Sequence, residues 1–197
     1  MTPLIAIPAA GSASRMQGRD KLLEPIDGTP LLRRQTNAAL ATDLNVLVLI
    51  RPGDTDRRNA LPNDPKLQIS TVPDASEGMA ATLRRAAAAS GDQPLMILLP
   101  DVPGITTEDI QRVLSVFVDH RGSKVVRASG TKDRPGTPIC LPAKVATGFS
   151  TLKGDEGGRS ILNEKAVELV RLNSDRATRD LNTPEDWAAW RAEHADD

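Results

Sequence analysis

The sequence predicts an α/β fold of three layers, with a mostly parallel central sheet and helices on both of its faces. Short, continuous apolar runs such as Leu4-Ile5-Ala6-Ile7 and Asn45 to Ile50 read as strands buried on both faces. Helical segments alternate with these runs at βαβ spacing. The runs also end in small residues, Gly, Pro or Asp, so their loops gather at the carboxyl ends of the strands, where such sheets bind ligands.

The first strand, Leu4 to Ile7, opens into a loop from Pro8 to Lys21. Small residues in that loop let backbone N–H groups approach an anion, while Arg15, Arg19 and Lys21 supply positive charge for a polyphosphate. Neither a Walker A motif nor a dinucleotide fingerprint fits Gly11 and Gly18. Asp27-Gly28 is a turn, after which Thr29 as N-cap and Pro30 at the first helical position predict a helix to about Asp43. Its inner face is traced by Leu31, Leu32, Gln35, Ala38, Ala39 and Thr42. A second strand over Asn45 to Ile50 precedes a short charged helix near Asp56 to Leu61, and a third strand spans Leu67 to Val72.

Gly78 permits a tight loop, and the Ala-rich stretch after it predicts a helix whose N-terminus faces the region above the strand ends. Leu95 to Leu99 is the most apolar strand and runs into Pro100-Asp101-Val102-Pro103. A carboxylate there faces the ligand crevice and can hold a divalent ion that bridges phosphates. Asp92-Gln93-Pro94 looks alike but precedes its strand, which places it at the opposite edge. Thr106 or Thr107 caps a helix to about His120 with Ile110, Val113, Leu114 and Phe117 inward. Strands follow over Lys124 to Ala128 and around Ile139-Cys140-Leu141, where Cys140 reads as a small buried hydrophobe. Gly-rich 154–158 frees the backbone before Arg159, which can reach an anion, and Val167 to Leu172 is a late strand. Thr183, Pro184 and Asp186 are explained as N-cap, first-turn Pro and capping-box acid of a last helix that packs Trp187 and Trp190 on the body. Asp180 has no such local role, and it or Asn182 is the candidate partner of Asp101.

Composition narrows the functions. At 197 residues the chain suits a single domain, 1–197, that buries roughly two thirds of its unfolded surface without disulfides. A net charge of -1 gives no global basic field for nucleic acid or an anionic membrane, so anion binding must be local. One cysteine, Cys140, excludes an intramolecular disulfide and a thiolate zinc site, and with no long apolar run it suggests a cytoplasmic address. Two His and no Tyr make His-based catalysis and base stacking on aromatics poor expectations.

Taken together, Ala9-Ala10-Gly11, Arg15-Met16 and Lys21 resemble the signature of the nucleotidyltransferases related to molybdenum cofactor cytidylyltransferase and molybdopterin-guanine dinucleotide synthase. Gly78-Met79 with Thr82 is similar to that family's G-M-x-x-S-L, Asp101-Val102-Pro103 to its D-x-P, Gly154 to Arg159 to its G-D-x-G-[AG]-R, and Asp180 to Asp186 to its D-[IL]-[DN]-T-P-E-D. Gln17 stands where the family has Gly, and Thr137 where it has the His of R-G-H-P. The resemblance implies a Rossmann-like nucleotidyltransferase fold and a Mg2+-dependent transfer of CMP from CTP to molybdopterin, with pyrophosphate leaving. It implies nucleotide binding by Ala9, Ala10, Gly11, Ser12, Arg15, Lys21, Gly78, Met79 and Thr82, and catalytic roles for Arg15, Lys21 and Asp101. Acceptor binding falls to Arg134, Thr137, Asp155 and Arg159, and the metal to Asp101 and Asp180. The expected partners are a nucleoside triphosphate, a phosphorylated acceptor and a molybdenum hydroxylase receiving the product, with a monomeric chain. Ala10 favours the cytidine branch, whereas Thr137 and Gln17 keep open GTP or UTP with a sugar 1-phosphate. A non-catalytic nucleotide-binding or cofactor-delivery protein is the alternative of another class.

Overall fold

Strand β1 (Leu4–Pro8) is apolar and buried along its whole length, which requires a central position in a sheet covered on both faces. The computed structural model, which describes residues 2–11, 16, 18–162 and 166–194, shows that arrangement. After β1 come a two-strand ribbon, β2 (Pro25–Ile26) and β3 (Thr29–Pro30), then α1 (Leu31–Leu40), β4 (Val46–Ile50), α2 (Thr55–Ala60) and β5 (Leu67–Thr71). The chain continues through α3 (Met79–Ser90), β6 (Leu95–Ile97), α4 (Thr107–Asp119), β7 (Val125–Ser129) and β8 (Pro135–Leu141). It ends with α5 (Ala143–Ala146), α6 (Arg159–Leu162), β9 (Val167–Arg171) and α7 (Pro184–Glu193).

The main sheet has seven strands in the order β5-β4-β1-β6-β8-β7-β9. β1 pairs in parallel with β4 and β6, β4 with β5, and β7 with β9, while β8 alone runs against both of its neighbours. Successive strand residues alternate between two cores. Ile5, Ile7, Val46, Val48 and Ile50 face α1 and α4, packing with Leu32, Ala39, Ile110, Val113 and Phe117. Leu4, Ala6, Leu47 and Leu49 face α3, packing with Ala80, Leu83 and Ala86, and with Phe149 and Leu162 beyond. Each fully buried aliphatic or aromatic side chain stabilises the fold by about 1.5–3 kcal/mol. Among the described residues no helix is long and apolar enough to cross a membrane.

Two local expectations are corrected. Thr29 does not cap α1; with Pro30 it pairs back on Ile26 and Pro25 around the Asp27-Gly28 turn, so Pro30 is the N-cap and makes no side-chain cap bond. The strand expected to reach Leu99 pairs regularly only to Ile97, because the Leu99 N–H turns to the Thr137 hydroxyl at the start of the reversed strand. Elsewhere Thr106 caps α4 in a full capping box with Asp109, and Cys140 is buried, its thiol pushed up from its ordinary value by that burial.

Candidate active site

Because β8 runs against the others, its first residues share one edge of the sheet with the carboxyl ends of β1 and β6. Three separate segments of the chain meet there. The loop after β1 carries Lys21, whose Nζ donates to Asp101 Oδ2 at 2.6 Å and to Asn182 Oδ1 at 2.7 Å. Asp101 follows β6 and is in turn held by the chain before α7, since the Leu181 N–H donates to the Asp101 carbonyl at 2.9 Å. Asp180 is exposed and accepts from the Asn182 amide in a short hydrogen bond, so it stands behind Asn182 rather than against Lys21. The Lys21 and Asp101 side chains keep 19% and 20% exposure, which leaves them open to a ligand.

The folding of each segment explains this meeting. Met16 is fully buried with Leu181, Trp187 and Trp190, tying the β1 loop to α7. Asp186 accepts from the Asn182 N–H at 3.0 Å and the Thr183 N–H at 2.9 Å, fixing the backbone that presents Asn182. The Asn182 N–H, with help from Thr183, holds the Asp186 carboxyl below its ordinary value. Ala9 and Ala10 are buried at the end of β1, and Gly11 is exposed. Ser12 and Arg15, both expected at the nucleotide, lie outside the described residues, as does Gln17.

A second group forms around the start of α3. Gly78 has φ +112°, and a Cβ there would lie 2.1 Å from Asp155 Oδ1 and 2.7 Å from the Gly154 carbonyl, so glycine is required for this contact. The Ala80 N–H donates to the Gly154 carbonyl at 3.1 Å. Arg84 donates to the Leu152 carbonyl and to both Asp74 and Glu77. The two carboxylates hold the Arg84 guanidinium above its ordinary value, and Arg84 holds Asp74 below its own. The Gly-rich loop carrying Asp155 is thereby fastened onto the helix carrying Met79 and Thr82. Met79 is exposed, but Thr82 is buried on the core side of α3.

Among the residues expected at the acceptor, Thr137 departs from expectation. Thr137 is buried, and its hydroxyl accepts from the Leu99 N–H at 3.1 Å, so it joins β6 to β8 instead of facing an acceptor. Antiparallel pairing of β8 with β6 turns it inward, which the sequence pattern did not reveal. Arg134 and Arg159 are exposed. Arg127, which sequence reasoning passed over as a strand residue, donates Nε to the Gly136 carbonyl at 2.6 Å. Burial, together with the positive charge of Arg159, lowers its guanidinium from the ordinary value. Its signal was an arginine inside an otherwise apolar run, Val125-Val126-Arg127-Ala128.

The oxygens of Asp101 and Asn182 already converge on one cation, the Lys21 ammonium. Hard oxygen donors of this kind suit Mg2+ or Mn2+, which take one or two carboxylates and complete their shell with water and substrate phosphates. Among the described residues no group of three or more His, Cys, Asp or Glu could hold an ion without such help. Clefts of about 580 and 450 Å³ lie elsewhere, beside Trp190 and beside Ile161, and neither includes Lys21 or Asp101.

The model of the MobA-like NTP transferase domain matches residues 5–170 of the chain. The chain belongs to this family. It is a nucleotidyltransferase by that membership. No curated protein sequence matches the chain. A nucleotidyl transferase from Methanothermobacter is 17% identical, with 98% of each chain covered and a TM-score of 0.80. A Mycobacterium tuberculosis H37Rv protein, Rv0371C, in complex with manganese is 18% identical over 96% of this chain and 97% of its own, with a TM-score of 0.74. The molybdopterin-guanine dinucleotide biosynthesis protein A of Archaeoglobus fulgidus is 12% identical over 98% of each chain, with a TM-score of 0.72. At these identities the structures show that the MobA-like chain shares their fold.

Proposed function

We propose that this MobA-like protein transfers CMP from CTP to the phosphate of molybdopterin. The observation that carries the reading is the convergence of Lys21, Asp101 and Asn182 at the carboxyl edge of the sheet. An acceptor phosphate oxygen attacks the α-phosphorus of CTP, the bond from that phosphorus to the bridging oxygen breaks, and pyrophosphate leaves with that oxygen. Asp101, assisted by Asn182 or Asp180, would hold a divalent ion, Mg2+ in this proposal, and a mycobacterial structure of the same fold in complex with manganese supports a divalent ion. When bound, the ion supplies charge neutralisation at the phosphates.

The protein's own groups do the rest. Lys21 and Arg15 neutralise the charge that grows on the leaving pyrophosphate, while Ala9, Ala10, Gly11 and Ser12 let the backbone approach the nucleotide. Gly78 and Met79 border the nucleotide, with Thr82 supporting them from the core side. Arg134, Asp155 and Arg159, with Arg127 behind, receive the acceptor, and Thr137 acts by holding that strand in place. Such a site works by positioning and electrostatics and needs no covalent intermediate. CTP is preferred because Ala10 matches the cytidine branch, and a molybdenum hydroxylase is the consumer of the product. Thr137 and Gln17, which stand where the family has His and Gly, keep open a second reading, GTP or UTP with a sugar 1-phosphate acceptor.

Mg2+-dependent pyrophosphate release, measured with CTP, GTP, UTP and ATP, with and without molybdopterin, tests the proposal. Release with CTP only when molybdopterin is present is expected. Release with another triphosphate, or with a sugar phosphate in place of molybdopterin, moves the assignment to the second reading. A triphosphate that raises the melting temperature without turnover with any of these acceptors would point to nucleotide binding for delivery.

A further inference from the structure

Arg57 lies on α2, outside every motif that the sequence singled out, yet only 1% of its side chain is exposed. Its guanidinium spans the two ends of the β1 loop. Nη1 donates to the Ala9 carbonyl at 2.6 Å and to the Gly11 carbonyl at 2.9 Å. Nε and Nη2 donate to the two carboxylate oxygens of Asp20 at 2.7 and 3.0 Å. Asp20 is the residue before Lys21, and its Oδ1 also accepts from the Leu22 N–H at 3.0 Å. Asp54 caps α2 through the Arg57 N–H and lies 3.6 Å from Arg57 Nε, so the buried charge faces two carboxylates.

We infer that Arg57 is a positioning residue for the nucleotide loop, a clamp that sets the distance between the Ala9-Ala10-Gly11 end and the Asp20-Lys21 end. A planar guanidinium offers its donors in a fixed fork, so contacts at both ends leave the loop mouth one width. Holding the Ala9 carbonyl on the side of Arg57 also turns the N–H of Ala10 to the opposite side, since a trans peptide points the two groups apart. The carboxylates of Asp20 and Asp54 engage the guanidinium, so Arg57 acts through the loop and not as a phosphate ligand. Loss of the clamp misplaces Lys21 relative to Asp101, and small misplacements of charged groups are costly in a site that works by geometry. This inference rests on the proposed triphosphate chemistry of the loop.

The test uses the full-length chain and the variants Arg57→Gln, Arg57→Lys, Asp20→Asn and Asp20→Asn with Arg57→Gln. Two readouts are compared, Mg2+-triphosphate affinity by calorimetry and the rate of tryptic cleavage after Arg15, Arg19 and Lys21 without nucleotide. Arg57→Gln is expected to weaken triphosphate binding by about tenfold to a hundredfold and to speed cleavage in the loop. Asp20→Asn should do the same, with the double variant no worse than either single one, and Arg57→Lys should fall between. Should Arg57→Gln fail to fold, Asp20→Asn decides alone, because it leaves the guanidinium its carbonyl partners and Asp54. A folded Arg57→Gln, or failing that Asp20→Asn, with affinity within about twofold of wild type and unchanged cleavage overturns the clamp. If the wild type binds none of CTP, GTP, UTP and ATP, the proposed function fails, and cleavage in the loop still decides whether Arg57 holds it.

Discussion

An ammonium that sits 2.6 Å from a carboxylate oxygen and 2.7 Å from an amide oxygen uses two of its three donors there, which leaves one for a further oxygen. Lys21 and Asp101 therefore keep each other ordered before substrate arrives. Partly exposed pairs of this kind contribute little to stability, about 0–1 kcal/mol. Asp101→Asn should accordingly leave the melting temperature nearly unchanged while turnover falls by about 10²–10³-fold, as removal of a positioned charge does. Unchanged turnover in a pyrophosphate-release assay would remove Asp101 from the mechanism. At this scale the sequence shows chemistry but not direction. Lys21 and Asp101 were legible as residue types at strand ends, whereas the sequence could not say that Asn182 is the one whose oxygen reaches Lys21 and that Asp180 accepts from Asn182. Arg57 was not legible, because α2 is only six residues long and carries Arg57 and Arg58 side by side. Periodicity over so short a helix cannot say which of the two turns inward.

Among the elements, α7 links local stability to the site. Its capping box satisfies the first turn, and the same Asp186 accepts from the Asn182 N–H. Thr183→Ala should cost about 1 kcal/mol in denaturant unfolding, the usual worth of an N-cap hydroxyl. The Asp186 carboxyl is held below its ordinary value chiefly by the Asn182 N–H, so the folded state binds its proton less readily than the unfolded state. Its stabilising contribution is present above the unfolded value of about 3.9 and is lost as pH falls through the lower folded value. Wild type and Asp186→Asn should thus differ in melting temperature at neutral pH and converge in acid. A difference that persists unchanged at acid pH would show that the carboxylate charge is not the cause. This cap was readable from Thr183-Pro184-Glu185-Asp186, because capping is decided within one turn. The same logic misread Thr29-Pro30, where the Asp27-Gly28 turn drew both residues into a ribbon.

Across the whole molecule, the third apolar cluster joins parts of the chain that are far apart in sequence. Met16, Ile26 and Leu31 pack with Leu181, Trp187 and Trp190, so the last helix supports the first loop. Trp187→Ala should destabilise the chain by about 3–5 kcal/mol, the usual cost of removing a buried large aromatic. Because Met16 then loses its partner, triphosphate affinity should fall as well in a Trp187→Phe variant that remains folded. Denaturant unfolding and calorimetry read these effects separately. Normal affinity in folded Trp187→Phe would mean that the loop does not depend on α7.

By itself the sequence determined the α/β architecture, the two faces of its sheet, the caps of α4 and α7 and the residue types offered at the strand ends. These properties follow from periodicity, turn chemistry and burial, which act over a few neighbouring residues. Tertiary structure alone decided the reversal of β8, the inward turn of Thr137, the fastening of Gly78 onto Asp155 and the span of Arg57 across the loop. Each depends on contacts between residues remote in the chain, where the final partner of a polar group is set by which segments the sheet order brings together.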